Sequence, residues 1–293
     1  SLGAATSLPE NARVVQGGSR LAVMDASGGQ VWLSQVSSPS STAYTDEGAV
    51  ATDMDQGVAT VSQKGTLFAI SPRAGRRISV TREGQLDRLK STDIKGLSAN
   101  AELVLTAVGE QPVALDTRNR VLVLPDGSLR NLADDGISAS VTLQDVGPDS
   151  SSVLLATDRE LISVPLKGGA VTKIPASSDG ASGTPARPVF HKGCAYGAWA
   201  KSGAYVRNCT DPSLNNQMIV DSLKKATTIV FRTNRTRIVL NDTTSGSVWL
   251  PEHNMVLMDD WDKQDPNLDK KEKEEDSPQI TDQIADPQRQ DHN

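Results

Sequence analysis

Residues 241–250 read Asn-Asp-Thr-Thr-Ser-Gly-Ser-Val-Trp-Leu, and residues 24–33 read Met-Asp-Ala-Ser-Gly-Gly-Gln-Val-Trp-Leu. Aligned without gaps, the two match Asp25 with Asp242, Gly29 with Gly246 and Trp32 with Trp249, although 217 residues separate them. A catalytic box used twice, an ion-binding turn and a repeated structural unit are the three readings open. The chemistry of the residues favours the last. Asp opens a turn, Gly supplies a dihedral that other residues avoid, and Val-Trp-Leu returns as a strand.

The test is whether such pairs recur. Between residues 10 and 260 helical periodicity is almost absent, and short apolar runs bounded by Gly, Pro, Asn, Asp or Ser take its place. Six run–turn–run units begin at Leu21, Val58, Val113, Val153, Ala195 and Ile238, at intervals of 37, 55, 40, 42 and 43 residues. A further apolar run precedes each unit, among them Ala49–Thr52 before the second. Four short antiparallel strands every 40–45 residues, roughly, is the period of a β-propeller blade. The expected fold is therefore all-β, a propeller of six blades with four antiparallel strands each. A pair of β-sandwiches is the rival and explains the regular spacing less well. The 55-residue interval implies a longer inter-blade loop around residues 82–100. Blades one and six would be neighbours in a closed ring, with residues 1–11 or 254–261 supplying a sealing strand.

Charge divides the chain unevenly. Of a formal net charge of −6, residues 262–293 carry ten acidic and five basic side chains, which leaves the body near neutral. The expected domains are a propeller over residues 1–262 and an acidic polar linker over 263–293, too poor in apolar residues to offset the entropy of ordering. No basic stripe with interleaved aromatics appears, which argues against nucleic acid as a partner. No run of 18 apolar residues spans a membrane. The opening Ser1-Leu-Gly-Ala-Ala has no initiator Met, so a signal or anchor would lie upstream.

Cys194 and Cys209 flank one hairpin, Cys-Ala-Tyr-Gly-Ala-Trp-Ala-Lys-Ser-Gly-Ala-Tyr-Val-Arg-Asn-Cys. Their midpoint falls in the predicted turn, so the two face each other across the strands within reach of a disulfide. That bond would imply an oxidising, extracytoplasmic setting; two reduced buried thiols are the alternative. His191, His253 and His292 match no catalytic or zinc spacing and read as loop histidines. The carboxylates at Asp53/Asp55, Asp134/Asp135 and Asp259/Asp260/Asp262 read as turn formers. The Asp-box of sialidase-type propellers is approached but not met, because Ser27 and Thr244 stand where its Asp belongs. The sequence assigns no catalytic residue, cofactor or metal.

Two blocks carry a resemblance: Ile238–Pro251 with the following Asn254–Asp262, and the paired-Cys hairpin Gly193–Cys209. Both resemble the N-terminal propeller-like region of large actinobacterial cell-surface proteins with Ig-like or fibronectin type III repeats, over roughly residues 12–262. The resemblance implies an upstream membrane anchor and downstream sandwich modules. The expected function is a non-catalytic, extracytoplasmic binding or structural head of a membrane-anchored envelope protein from a Gram-positive-type bacterium. As a monomeric domain it would dock a protein or a cell-wall glycan on one propeller face. A polysaccharide-acting enzyme with carboxylates meeting in the channel is the competing class.

Overall fold

Short apolar segments punctuated by turn residues form 24 strands in the computed structural model, which describes residues 8–37, 44–83, 86–234 and 236–258. Residues Ser1–Leu257 form one compact unit. Trp261, Asp259, Asp260, Asp262, His292 and the acidic tail lie outside the described residues.

Each sheet takes its strands from consecutive chain. Blade one holds β1 (Arg13–Gly17), β2 (Arg20–Asp25) and β3 (Gln30–Gln35). Blade two holds β4 (Val58–Val61), β5 (Leu67–Ser71), β6 (Arg76–Glu83) and β7 (Leu86–Asp93). In blade three the strands are β8 (Leu103–Val108), β9 (Gln111–Asp116), β10 (Val121–Val123) and β11 (Leu129–Asn131). Blade four has β12 (Thr142–Leu143), β13 (Ser152–Ala156), β14 (Glu160–Pro165) and β15 (Thr172–Pro175). Blade five opens with β16 (Thr184–Pro185) and β17 (Val189–His191), followed by β18 (Cys194–Ala200), β19 (Ala204–Cys209) and β20 (Asn216–Ile219). Both β16 and β17 pair with β18, so together they are one first strand. It is broken near Pro185 and Pro188, which have no N–H to give the ladder. Blade six holds β21 (Ile229–Asn234), β22 (Arg237–Asp242), β23 (Val248–Leu250) and β24 (Val256–Met258). Six antiparallel sheets wound in this way define a β-propeller, the fold expected from the repeat.

The second strands begin at residues 20, 67, 111, 152, 194 and 237, at intervals of 47, 44, 41, 42 and 43. The 37/55 irregularity thus disappears, and its cause is a one-strand slip in blade two. Val58–Val61 is that blade's first strand, whereas the corresponding sequence unit elsewhere begins in the second. The residues expected to form a loop at 82–100 contain β7, paired with β6 from Arg76↔Asp93 to Glu83↔Leu86. The run at Ala49–Thr52 also belongs elsewhere. Ala51 bridges Val31, with the Val31 and Val50 amides donating to the Ala51 and Val31 carbonyls, so the fourth strand of blade one shrinks to a single bridge. Of the two expected sealing segments, residues 1–7 and 259–261 lie outside the described residues. Among the described residues β1 lies with its own blade, and β24 ends blade six.

The core lies between blades, because each sheet buries a face against the next. Met24 and Val31 pack with Leu67 and Ile78; Ile70 packs with Ala114 and Val123. Leu115 and Leu122 meet Val153 and Ile162, and Leu154 and Leu161 meet Trp199 and Val206. Tyr196 and Tyr205 of blade five join Phe231 and Trp249 of blade six. Each large apolar side chain so buried contributes about 1.5–3 kcal/mol. Among the described residues, none of these five clusters joins blade six to blade one.

Candidate functional site: the mouth of the central cavity

The repeat residues occupy fasteners, away from any cavity. Asp242, 2% exposed, closes β22 and accepts from the Thr244 and Thr228 amides at 3.1 and 3.3 Å and from the Ser245 hydroxyl at 2.9 Å. Burial alone would raise its pKa, but these hydrogen bonds outweigh it and hold the carboxyl below its ordinary value. Asp25 closes β2 and accepts from the Ser27 and Gly28 amides at 2.9 and 3.0 Å. Gly29 and Gly246 follow with φ of 71° and 76°. Trp32 and Trp249 are buried, their indole N–H groups donating to the Thr45 carbonyl and the Ser222 hydroxyl. The same turn position carries Ser71, Asp116 and Thr157 in blades two, three and four, each with a side-chain oxygen accepting from backbone N–H groups ahead. Short oxygen side chains suit this place because they satisfy amides that the turn leaves unpaired.

In blade five that position is Ala200, and the fastener stands at the opposite end of the hairpin. Cys194 and Cys209 are register partners joined by a disulfide of 2.06 Å, 3.9 Å apart at Cα. Trp199 is fully buried and donates to the Thr157 carbonyl of blade four at 2.7 Å. The Tyr205 hydroxyl donates to the Pro251 carbonyl at 2.8 Å, and burial pushes its pKa well up.

The other carboxylates are local. Asp135 takes two 2.7 Å bonds from Arg130, a bidentate pair that lowers its pKa. Asp53 stands 3.9 Å from Arg76. Among the described residues no three His, Cys, Asp or Glu side chains gather as a metal cluster would require.

A concavity of about 880 Å³ opens where the first strands of five blades end. Gln16, Gly17 and Gly18 come from blade one, and Val61 and Gln63 from blade two. Asp145 to Pro148 come from blade four, Val189 to Lys192 from blade five, and Phe231 to Thr233 from blade six. Convergence of these strands on one cavity marks the propeller axis. Blade three approaches this rim through Val108, which makes a parallel bridge to Gly147. A second cavity of about 490 Å³ lies at the starting ends of β1, β4 and β8, beside Arg13, Val58 and Leu103.

Four ionisable residues line the larger mouth. Asp145 is paired with Arg187 at 3.0 Å, and Lys192 with Glu252 at 3.0 Å. His191 is no loop residue: it ends β17, is 7% exposed, and has Nε2 3.4 Å from the Thr236 carbonyl oxygen. Arg232 is exposed and has no hydrogen-bond or ion-pair partner among the described residues. Gln16, Gln63 and Thr233 are likewise exposed, with free side chains. Sequence reasoning missed this set, scattered as it is over five repeats. The available signal was positional: each residue falls at the end of the first apolar run of its unit.

The fold and this axial mouth make the chain a β-propeller with an open cavity at one end of its axis. No family profile matches the sequence, and no curated protein matches it. Among solved structures it is similar to virginiamycin B lyase from Staphylococcus aureus, at 11% identity and a TM-score of 0.48, over 85% of this chain and 84% of that one. It is also similar to AztD from Citrobacter koseri, at 11% identity and a TM-score of 0.49, over 84% and 70% of the two chains. BamB from Moraxella catarrhalis matches at 11% identity and a TM-score of 0.40, over 80% and 67%. No activity is transferred from these similarities.

Proposed function

We propose that the chain is a non-catalytic binding head acting outside the cytoplasm, which docks a cell-envelope ligand at the mouth of its central cavity. One observation carries the reading: five blades converge on an 880 Å³ cup within the usual size range of small-ligand sites. Its lining combines exposed, uncommitted polar side chains, able to orient a ligand, with the half-buried ring of Phe190. Among the described residues Asp145 is the one carboxylate in that lining, and it is held by Arg187. The Cys194–Cys209 disulfide supports the extracytoplasmic setting, since such bonds persist in oxidising compartments. Membrane anchoring and downstream sandwich modules belong to the same reading and rest on the family resemblance of the sequence.

The test fills the cup. Purified chain is cosedimented with isolated bacterial envelopes, using Gln63→Trp and Thr233→Trp in the mouth and Thr172→Trp on the outer strand β15 as control. The wild type and Thr172→Trp sediment with the envelopes, and the two mouth variants stay in solution. Equal sedimentation of all four proteins, or none by the wild type, defeats the reading.

A further inference from the structure

We infer that the ligand of the cavity mouth is a carboxylated oligosaccharide whose carboxylate is held by Arg232; this rests on the proposed docking at that mouth. The inference starts from charge. In a confined cavity an uncompensated charge selects its opposite, because the low-dielectric walls focus the field. Asp145 and Lys192 are each neutralised by a partner at 3.0 Å, and His191 is buried against the Thr236 carbonyl. Among the described residues Arg232 is left as the one charged lining residue without a partner. A guanidinium presents a planar fork of donors that fits a carboxylate bidentately.

The uncharged groups indicate what carries the carboxylate. Gln16 and Gln63 offer free amides, each able both to donate and to accept, and Thr233 offers a free hydroxyl. Sugar hydroxyls also donate and accept, so this mixed set answers them well. Phe190 provides a half-buried ring, suited to the apolar face of a pyranose. The cup of about 880 Å³ has room for a ligand of a few rings, not for a folded partner. An acidic peptide shares the carboxylate but brings few hydroxyls for Gln16, Gln63 and Thr233 to meet.

The probe is trigalacturonate, an α-linked trisaccharide with three carboxylates, titrated into the wild-type chain and followed by NMR amide shifts. Maltotriose serves as the uncharged arm, hexaglutamate as the peptide arm. Arg232→Ala and Arg232→Lys are titrated alongside. Because Arg232 is exposed and unpartnered, its replacement should leave the melting temperature unchanged, so folding does not confound the result. Trigalacturonate should perturb the amides of residues 16–18, 63, 190–192 and 231–233. Its affinity should fall about tenfold or more in Arg232→Ala and less in Arg232→Lys, while maltotriose binds weakly. Equal binding of maltotriose would remove the carboxylate from recognition yet leave docking at the mouth intact. Tighter, Arg232-dependent binding of hexaglutamate would replace the saccharide with a peptide. No binding of trigalacturonate, or binding indifferent to Arg232, would overturn the inference, whereas the envelope experiment alone decides the docking itself.

Discussion

The two hairpins built from matching sequence, one in blade one and one in blade six, are fastened to unequal depth. In blade six the buried Asp242 ties its own turn and also reaches back to Thr228, at the entrance to the first strand. In blade one Asp25 is half-buried and holds only its turn. The glycines reverse this order. A Cβ at Gly29 would lie 3.1 Å from the Met54 and Asp55 amide nitrogens, whereas one at Gly246 would meet nothing within 4 Å. Sequence repeats therefore transmit turn chemistry faithfully, while neighbours decide how much each copy contributes.

Blade five offers the sharpest contrast, because Ala200 replaces the turn oxygen and the Cys194–Cys209 bond supplies the fastening. With a sequence separation of 15 residues, reducing it should cost about 3 kcal/mol of stability. The urea midpoint with and without reductant measures this directly; an unmoved midpoint would mean that the hairpin is held by Trp199 and Tyr205 alone.

The aspartates come next. Asp242→Ala should cost about 1–2 kcal/mol and Asp25→Ala about half that, since the first strands three acceptor bonds and the second two. Equal losses would dissolve the distinction between the copies. The Asp242 contribution should also depend on acid. Its folded pKa is lowered, so the stabilisation is complete above the unfolded carboxyl value, about 3.9, and is lost as pH falls through the folded value. Asp242→Asn should accordingly flatten the acid limb of a stability-versus-pH curve.

The glycines come last, with effects close to that expected for Asp25→Ala. Placing alanine at a left-handed φ costs about 1 kcal/mol at either site. Gly29→Ala should exceed Gly246→Ala, because Met54 and Asp55 must give way as well. A larger loss at Gly246 would show that conformational strain, not contact, sets the cost.

Much of the architecture could be read from apolar runs and turn residues, since five of the six repeat units fall on second and third strands of their blades. Blade two escaped for a physical reason. Strand β7, Leu-Asp-Arg-Leu-Lys-Ser-Thr-Asp, is exposed over almost its whole length and needs no apolar alternation. It is held through backbone pairing to β6 and through Asp87, which accepts from the buried Arg20 at 2.7 Å. The cavity mouth was illegible locally, because Gln16, Gln63, Asp145, Phe190 and Arg232 become neighbours only when the sheets are arranged about an axis. Their shared place, at the ends of first strands, is the one hint of the set that the sequence carries.

Buried apolar clusters join each blade to the next from one through six, and none among the described residues joins six back to one. Mechanically, the described residues form a bracelet with five riveted links. Each link depends on apolar contact between neighbouring sheets, so a cavity opened at one junction loosens two blades at once.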